Sequence, residues 1–341
     1  MQVALFRPTI RRRYMHSVLT QLVDEDIGPG KMSRELVRAA SAHIGAAGGV
    51  ALGSYHSALS LAAAILGLGA GEAVVISALS PSIYLDVLSR MGLRVLAVDV
   101  EAGSGAMAPG ELASALAEGP SAVFAHHTLG FRADLSPCAD GGVRILEDSS
   151  HLLAAASEEN AASPVAELVV ASLEGESLLS AGSGGLLLSP RRQLLGAMRE
   201  EGMGPTRYQR LGNMNAALAL SQLGDLERDR ARRKELAGLF LRAAQKSRHR
   251  MLLGSPDGES PAFGFPVRLS GSLQEARQYA RRHGVETRPA YEDSCAARSE
   301  GIRERCPEAR KLLLSCLLFP LYPMMGRKTA ETVARVLSTL P

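Results

Sequence analysis

The sequence has no tryptophan, only seven phenylalanines and seven tyrosines, and only four cysteines in 341 residues. Proteins that bind single-stranded nucleic acids stack the bases on aromatic side chains, so this shortage argues against that class. Four cysteines are too few for a disulfide-rich scaffold, and Cys138, Cys295, Cys306 and Cys316 form no C-x-x-C pair. We therefore expect free thiols in a reducing compartment, and we predict no metal site.

A large excess of charge and a long apolar run are also missing. Lysine and arginine total 38 against 35 for aspartate and glutamate, which gives a formal net charge of +3. That charge is too small and too scattered for a surface that binds the nucleic-acid backbone. Glycine, serine or charged residues break every apolar stretch well short of a membrane span, and no apolar signal segment precedes Arg11. We therefore expect a cytoplasmic protein that binds neither nucleic acid nor membrane.

Short runs rich in valine, isoleucine and leucine do occur, and they alternate with amphipathic segments. The predicted strands are Val50–Gly53, Ala73–Ser77, Arg94–Val98, Ala122–Ala125, Val143–Glu147, Leu168–Leu173 and Gly185–Leu188, and the predicted helices among them are Ser57–Leu68, Ile83–Met91 and Pro109–Ala117. Strands that alternate with helices predict an α/β fold with a mostly parallel sheet covered on both faces.

The pattern becomes helical after Pro190 and then mixed. We predict one long helix from Asn213 to about Lys246, whose charged run Glu227–Glu235 is typical of a solvated face with i,i+4 ion pairs. After a loop at Gly254–Pro261, the predicted elements are a strand at Phe263–Leu269, a helix at Leu273–His283, a strand near Val285–Arg288 and a helix at Thr329–Leu340. We therefore expect a large domain, residues 1–225 with an N-terminal leader, and a smaller C-terminal α+β domain, residues 226–341.

Several local patterns keep a consistent order along nearly the whole chain. They include Ile27–Gly30, Gly67–Ile76, Leu146–His151, Gly182–Gly185, Gly284–Tyr291 and Leu318–Tyr322. In this order and spacing, the sequence resembles the DegT/DnrJ/StrS family of sugar aminotransferases, which have the fold-type-I pyridoxal-phosphate architecture. The resemblance implies a seven-stranded, mostly parallel sheet, a homodimer with sites at the subunit boundary, and a sugar nucleotide or other small anionic ligand.

The resemblance also assigns roles to particular residues. Asp148 stands where the family places the carboxylate that keeps the pyridine nitrogen protonated, although an aspartate that caps a following helix would explain it about as well. His151 stands where the family places a glutamine or histidine beside the hydroxyl group of the cofactor's pyridine ring. Ser172 matches the phosphate-binding serine, and a serine at a strand end is its simpler interpretation. Ser54 and His56 stand in the turn that binds the phosphate, where we expect helix N–H groups to favour an anion.

Other positions depart from the family pattern. Ser177 stands where the family has the lysine that forms a Schiff base with the cofactor, and a serine hydroxyl cannot form one. Only Lys31, Lys234, Lys246, Lys311 and Lys328 occur, so no lysine lies near that segment. Tyr55 replaces a glycine of the phosphate turn, Pro81 replaces the aromatic ring that stacks on the pyridine, and Tyr208 replaces an asparagine that reaches the phosphate from the partner subunit.

Three hypotheses follow from this mixture, and the sequence leaves open whether the protein is an enzyme. In the first, the chain keeps the fold, lacks ordinary amino transfer, and binds an anionic small molecule such as a sugar nucleotide. In the second, it is a repurposed enzyme that uses Glu174, Glu176, His56 and His151 for acid–base chemistry. In the third, it is a still active sugar aminotransferase or dehydratase-like enzyme. In each case we expect pyridoxal or pyridoxamine phosphate, if bound, to be held without a covalent bond at Ser177.

Overall fold

The computed structural model describes residues 2–140, 142–153, 162–201, 208–252 and 263–341. Its large sheet consists of β1 (Gly48–Leu52), β2 (Ala73–Ser77), β3 (Arg94–Val98), β4 (Ala122–His126), β5 (Arg144–Asp148), β6 (Leu168–Ser172) and β7 (Gly185–Ser189). The seven strands lie in the order β1-β7-β6-β5-β4-β2-β3. Only β7 is antiparallel to its neighbours β1 and β6, and the other pairs are parallel. The predicted seven-stranded, mostly parallel sheet is therefore confirmed.

Helices precede and cover this sheet. They are α1 (Arg12–Val23), α2 (Lys31–Ile44), α3 (Tyr55–Ile65), α4 (Ile83–Arg90), α5 (Pro109–Leu116) and α6 (Leu194–Glu201). Helix α3 begins two residues earlier than predicted, because the Ser54 hydroxyl accepts a hydrogen bond from the Ser57 N–H and caps the first turn. It ends at Ile65, and Gly67, at φ +66°, supplies the left-handed conformation of the turn that follows.

The long helix predicted from Asn213 is two helices, α7 (Asn213–Leu223) and α8 (Leu226–Ala244). The break at Gly224 places the Asp225 carboxylate beside Arg11, whose Nη1 lies 3.0 Å from its Oδ2. The charged run that follows was predicted to be a solvated helix face. It is solvated only in part, because Asp229 and Arg233 are buried. Asp229 pairs with Arg11, the residue immediately before α1, and the Arg233 guanidinium donates to the Leu321 carbonyl.

The ion pairs on the outer face of α8 also differ from the prediction. Arg230 pairs with Glu227 at 2.9 Å, and Arg232 pairs with Glu235 at 2.6 Å, so both pairs are spaced i,i+3 instead of i,i+4. The run therefore has two functions: its outer face is solvated, and its inner face fastens α8 to the N-terminal helix α1 through the buried Asp229.

The C-terminal part contains a four-stranded antiparallel sheet in the order β10-β11-β9-β8. Its elements are β8 (Arg250–Met251), β9 (Phe265–Arg268), α9 (Leu273–Arg282), β10 (Arg288–Pro289), α10 (Cys295–Arg298), α11 (Glu300–Arg305), α12 (Pro307–Ser315), β11 (Cys316–Phe319) and α13 (Arg327–Ser338). Its core includes Phe240, Val267, Phe319 and Val333. The predicted loop Gly254–Pro261 lies outside the described residues, and the domain boundary after residue 225 stays a prediction.

Two further observations concern the whole described chain. All four cysteines are buried free thiols. Within the described ranges, no helix is both long enough and apolar enough to cross a membrane.

Candidate functional site

A cavity of about 300 Å³ opens at the carboxyl edge of the large sheet. His126 ends β4, Ser150 and His151 follow β5, and Ser172 ends β6, and all four residues line this cavity. Open α/β folds bind ligands at this edge because the loops that follow parallel strands converge there. Arg288 and neighbouring residues of the C-terminal part close the opposite wall.

Asp148 lies beneath the cavity as the last residue of β5 and is fully buried. Its Oδ1 accepts hydrogen bonds from the Ser150 N–H at 2.9 Å and from the Ser150 hydroxyl at 2.5 Å. Its Oδ2 accepts from the Tyr84 hydroxyl at 2.6 Å and from the Tyr55 hydroxyl. A carboxylate has about four acceptor positions, so the chain itself uses the acceptor capacity of Asp148.

The two tyrosines remain donors across the ordinary pH range. Burial, and then the negative charge of Asp148, raises the pKa of Tyr55 well above its usual value. The same two causes raise the pKa of Tyr84. Both phenols therefore stay protonated, and each can donate its hydrogen to the same carboxylate oxygen.

His151 presents a donor to the cavity and does not present a base. Its Nδ1 accepts a hydrogen bond from the Leu129 N–H at 3.1 Å, so in the neutral ring the proton is on Nε2. Burial, followed by the charges of His126 and Arg288, lowers the pKa of His151 well below its usual value. The ring also stacks on Phe263, with the ring centroids 3.7 Å apart. His151 is therefore held as a neutral imidazole.

Ser177, which the sequence resemblance places at the lysine position, is not an activated nucleophile. The Ser177 hydroxyl donates to Ser172 Oγ at 2.7 Å, and Ser172 Oγ also accepts from the Glu174 N–H at 3.2 Å. Both serines line the cavity. Among the described residues, no histidine or carboxylate is hydrogen-bonded to the Ser177 hydroxyl, so nothing there removes its proton.

The first turn of α3 is arranged differently from the prediction. The Tyr55 N–H donates to Glu174 Oε1 at 3.0 Å, so a carboxylate of this chain already lies at the positive end of the helix. Ser54 caps the helix through Ser57, and His56 lies beside Ser60 on its own helix, with 3.5 Å between Nδ1 and Oγ. Ser54 and His56 are not among the described residues that line the cavity.

The charge of the cavity wall is mostly negative. Glu174, Glu176, Glu292 and Asp293 line it, while Arg288 is its only cationic side chain among the described residues. Arg288 Nη1 lies 2.8 Å from Glu176 Oε2, and Arg288 Nε lies 3.9 Å from Glu292 Oε1. Burial also lowers the pKa of His126 to about 4, so that ring is neutral. The wall therefore offers a ligand more negative than positive side chains, and the anionic ligand expected from the sequence stays a prediction.

Several contacts of the site were not found by sequence reasoning. Tyr84 is in α4, and nothing in its own segment indicates that its hydroxyl reaches Asp148. Ser150 is different, because an aspartate followed two residues later by a serine is a local turn pattern. Pro81 lines the cavity, as expected for a residue of the site, whereas Tyr208 is 78% exposed and lies outside the described lining.

The residues present do not fit pyridoxal phosphate as the family resemblance would hold it. No lysine is among the described lining residues, so no side chain is placed to form a Schiff base. The Asp148 carboxylate accepts hydrogen bonds from Tyr55, Tyr84 and Ser150. The Glu174 carboxylate lies at the start of α3, where the resemblance predicts the phosphate. No chemical step through that cofactor follows from this geometry.

Comparison with known proteins agrees with the fold. The sequence model of the DegT/DnrJ/EryC1/StrS aminotransferase family matches residues 8–338. The chain is 27% identical over 247 residues to 3-amino-5-hydroxybenzoate synthase of Amycolatopsis mediterranei (strain S699), a match that covers 66% of this chain and 60% of that protein.

Two solved structures show the same architecture at low sequence identity. The crystal structure of the aminotransferase TlmJ from Streptoalloteichus hindustanus is similar with a TM-score of 0.88 at 22% identity, covering 99% of this chain and 98% of that one. An E. coli GDP-4-keto-6-deoxy-D-mannose-3-dehydratase with bound hydrated PLP gives a TM-score of 0.88 at 16% identity, covering 99% and 100%. The predicted fold-type-I aminotransferase architecture is therefore confirmed.

Proposed function

The chain belongs to the DegT/DnrJ/EryC1/StrS aminotransferase family, and from this premise we propose that its cavity binds a sugar, or the sugar part of a nucleotide sugar, without ordinary pyridoxal-phosphate-dependent amino transfer. The observation that carries the proposal is the state of Asp148. Four hydrogen bonds from this chain engage its carboxylate, and no lysine stands in the described cavity lining. Asp148 is thus engaged by the chain itself, and no lysine nucleophile lines the described cavity, which supports binding without ordinary amino transfer.

The remaining groups of the cavity suit a polyhydroxylated molecule. Sugar hydroxyls donate to carboxylates such as Glu292 and accept from the Nε2–H of His151 and from serine hydroxyls. The rings of Phe263 and Tyr291 offer apolar surface to the C–H face of a sugar. A volume of about 300 Å³ is at the lower end of ligand pockets, which favours a single sugar ring.

The charges of the cavity wall restrict where a negatively charged part of the ligand would lie. Arg288 is the cation available to a phosphate, and it lies beside the partly exposed Glu176 and Glu292. We therefore place any phosphate of a nucleotide sugar near Arg288, with the sugar ring in the cavity. The start of α3 is not part of this proposal because Glu174 already lies there.

A second candidate function is an active enzyme that modifies a sugar, and the family membership favours it. A GDP-perosamine synthase of Caulobacter vibrioides is 21% identical over 284 residues, covering 77% of this chain and 76% of that protein. Acid–base chemistry at Glu174, Glu176 and His151 is the version that needs no lysine. Glu174 accepts from Tyr55, Glu176 pairs with Arg288, and His151 is a neutral donor, so these groups support it less well than they support binding.

Two measurements on the purified protein separate these candidates. Calorimetric titration with nucleotide sugars, compared with the matching nucleoside diphosphates, is expected to show tighter binding of the sugar conjugates. Amino transfer from glutamate to a keto sugar, with pyridoxal phosphate added, is expected to be undetectable. Turnover at an ordinary enzymatic rate would contradict the proposal, and equal affinity for the free diphosphates would show that the cavity does not take the sugar.

We also propose that the protein is a homodimer. Helix α1 carries Met15, Leu19 and Val23 at helical spacing, and these side chains are 48%, 52% and 80% exposed. An exposed apolar stripe of this kind is typical of an interaction surface. Light scattering is expected to give twice the chain mass, and the variant Leu19→Asp is expected to shift the protein toward monomer. A monomeric native protein at micromolar concentration would contradict the proposal.

A further inference from the structure

We propose that Tyr55 and Glu174 act as internal substitutes for a cofactor: the Tyr55 phenol takes the ring-nitrogen position at Asp148, and the Glu174 carboxylate takes the phosphate position at the start of α3. The site is then closed to pyridoxal phosphate by two side chains of this chain. This inference is independent of which ligand the cavity binds. It concerns Asp148 and the N–H groups at the start of α3, which the family resemblance assigns to the cofactor, and it explains why they have hydrogen-bond partners within this chain.

The first half of the argument concerns the side chain of Tyr55. This residue replaces a glycine of the family pattern, it is buried, and its hydroxyl donates to Asp148 Oδ2. The Tyr84 hydroxyl donates to the same oxygen from α4. A protonated pyridine nitrogen needs one acceptor on this carboxylate, so it has to displace a phenol to reach Asp148. Tyr55 is also one of the residues that line the cavity.

The second half concerns the backbone of the same residue. The N–H of Tyr55 is at the first position of α3, where a phosphate would find a donor and the positive end of the helix. Glu174 Oε1 accepts that N–H at 3.0 Å. A phosphate that bound this N–H would lie next to the Glu174 carboxylate. The two negative charges would repel each other and weaken the binding of the phosphate.

The segment that carries Glu174 is itself held in place. Ser172 Oγ accepts from both the Glu174 N–H and the Ser177 hydroxyl. The hydroxyl that the resemblance assigns to the phosphate therefore also has partners within the chain. Tyr55 joins the two halves, since its side chain engages Asp148 and its N–H engages Glu174.

The geometry dictates which variants open the site. The double variant Tyr55→Gly/Glu174→Ala removes the ring from the cavity, frees one acceptor of Asp148 and exposes the N–H at the start of α3. The matched control is Tyr55→Phe/Glu174→Ala, which frees the same acceptor and the same N–H but keeps the ring in place. Comparing the two isolates the space that the Tyr55 ring takes.

Pyridoxamine 5′-phosphate is the probe, because it has no aldehyde and cannot react with surface lysines. Calorimetric titration is expected to show no saturable binding by the native protein. The double variant is expected to bind one equivalent, and the phenylalanine control is expected to bind about tenfold or more weakly. Both variants free the same Asp148 acceptor and the same N–H, so this difference measures the crowding caused by the ring that only the control keeps. Saturable binding by the native protein, or no binding by a folded double variant, would overturn the inference.

A second experiment avoids the glycine in case that variant does not fold. Glu174→Ala alone is expected to gain more thermal stability in millimolar inorganic phosphate than the native protein does, because only the variant leaves the α3 N–H free, whereas any binding of phosphate near Arg288 is common to both. An equal response of the two proteins would contradict the inference. Sugar binding is measured separately, so its failure leaves these outcomes unchanged and bears only on the proposed function.

Discussion

Removing the Tyr55 hydroxyl tests the buried cluster around Asp148 with one atom. In Tyr55→Phe the carboxylate loses one of its four hydrogen bonds and keeps those from Tyr84 and Ser150. A hydrogen bond to a charged group contributes about 1.5–3 kcal/mol to stability, and the ring that stays in place leaves almost no new cavity. We expect the free energy of unfolding to fall by about 2 kcal/mol.

Urea denaturation followed by far-ultraviolet circular dichroism measures this change. The midpoint is expected to fall while the dependence on urea stays constant, since the exposed area of the unfolded chain does not change. The control is Tyr279→Phe, which removes a hydroxyl that donates to Thr339 Oγ1 at 2.9 Å on the protein surface. That variant is expected to stay within about 0.5 kcal/mol of the native protein. Equal effects of the two substitutions would refute the reasoning about Asp148.

Three other predictions concern pH and a buried ion pair. Because the pKa of Tyr84 is raised in the folded state, the unfolded chain loses this proton first, and stability falls as the pH rises above about 10; the Tyr84→Phe variant is expected to show a shallower fall. Because the pKa of His126 is lowered to about 4, the unfolded state binds its proton first as the pH falls below about 6.5; between pH 7 and 4 the native protein is expected to lose about 3 kcal/mol more stability than His126→Gln, while the loss caused by the lowered pKa of His151 is common to both proteins. Asp229→Asn leaves the Arg11 guanidinium with a weaker partner in a buried setting and is expected to lower stability by about 3 kcal/mol, whereas Glu331→Gln, in an exposed pair, is expected to change it by less than about 1 kcal/mol in the same denaturation assay.

The large sheet was predictable because its strands are short apolar runs bounded by glycine or helix-forming segments. The bounds of β2 and β3 match the prediction, and the other five strands of this sheet differ by at most two residues at either end. Strand β11 was missed, because Cys316–Phe319 follows the apolar residues of α12 with only Ser315 and no glycine or proline between them. The break at Gly224 was missed although glycine is a local signal for the end of a helix; its result, the pairing of Asp225 with Arg11, joins residues far apart in the sequence and was not predictable.

The site was predictable only in part, and the difference lies in where side chains point. The sequence indicated that Asp148, His151, Ser172 and Ser177 share one edge of the sheet, and the structure brings them together at the cavity. It did not indicate that Tyr55 turns inward to Asp148 while its neighbour His56 lies along the outside of α3. That orientation depends on where the helix begins, which Ser54 determines through a cap.

The most direct test of the account is borohydride reduction of the native protein after incubation with pyridoxal phosphate and dialysis. Intact mass and peptide mapping then report whether a phosphopyridoxyl group is fixed to the chain. Since the sequence resemblance places Ser177 at the lysine position and no lysine is among the described lining residues, we predict no stoichiometric modification of any residue that lines the cavity. One phosphopyridoxyl group per chain on a residue in the cavity would contradict the account.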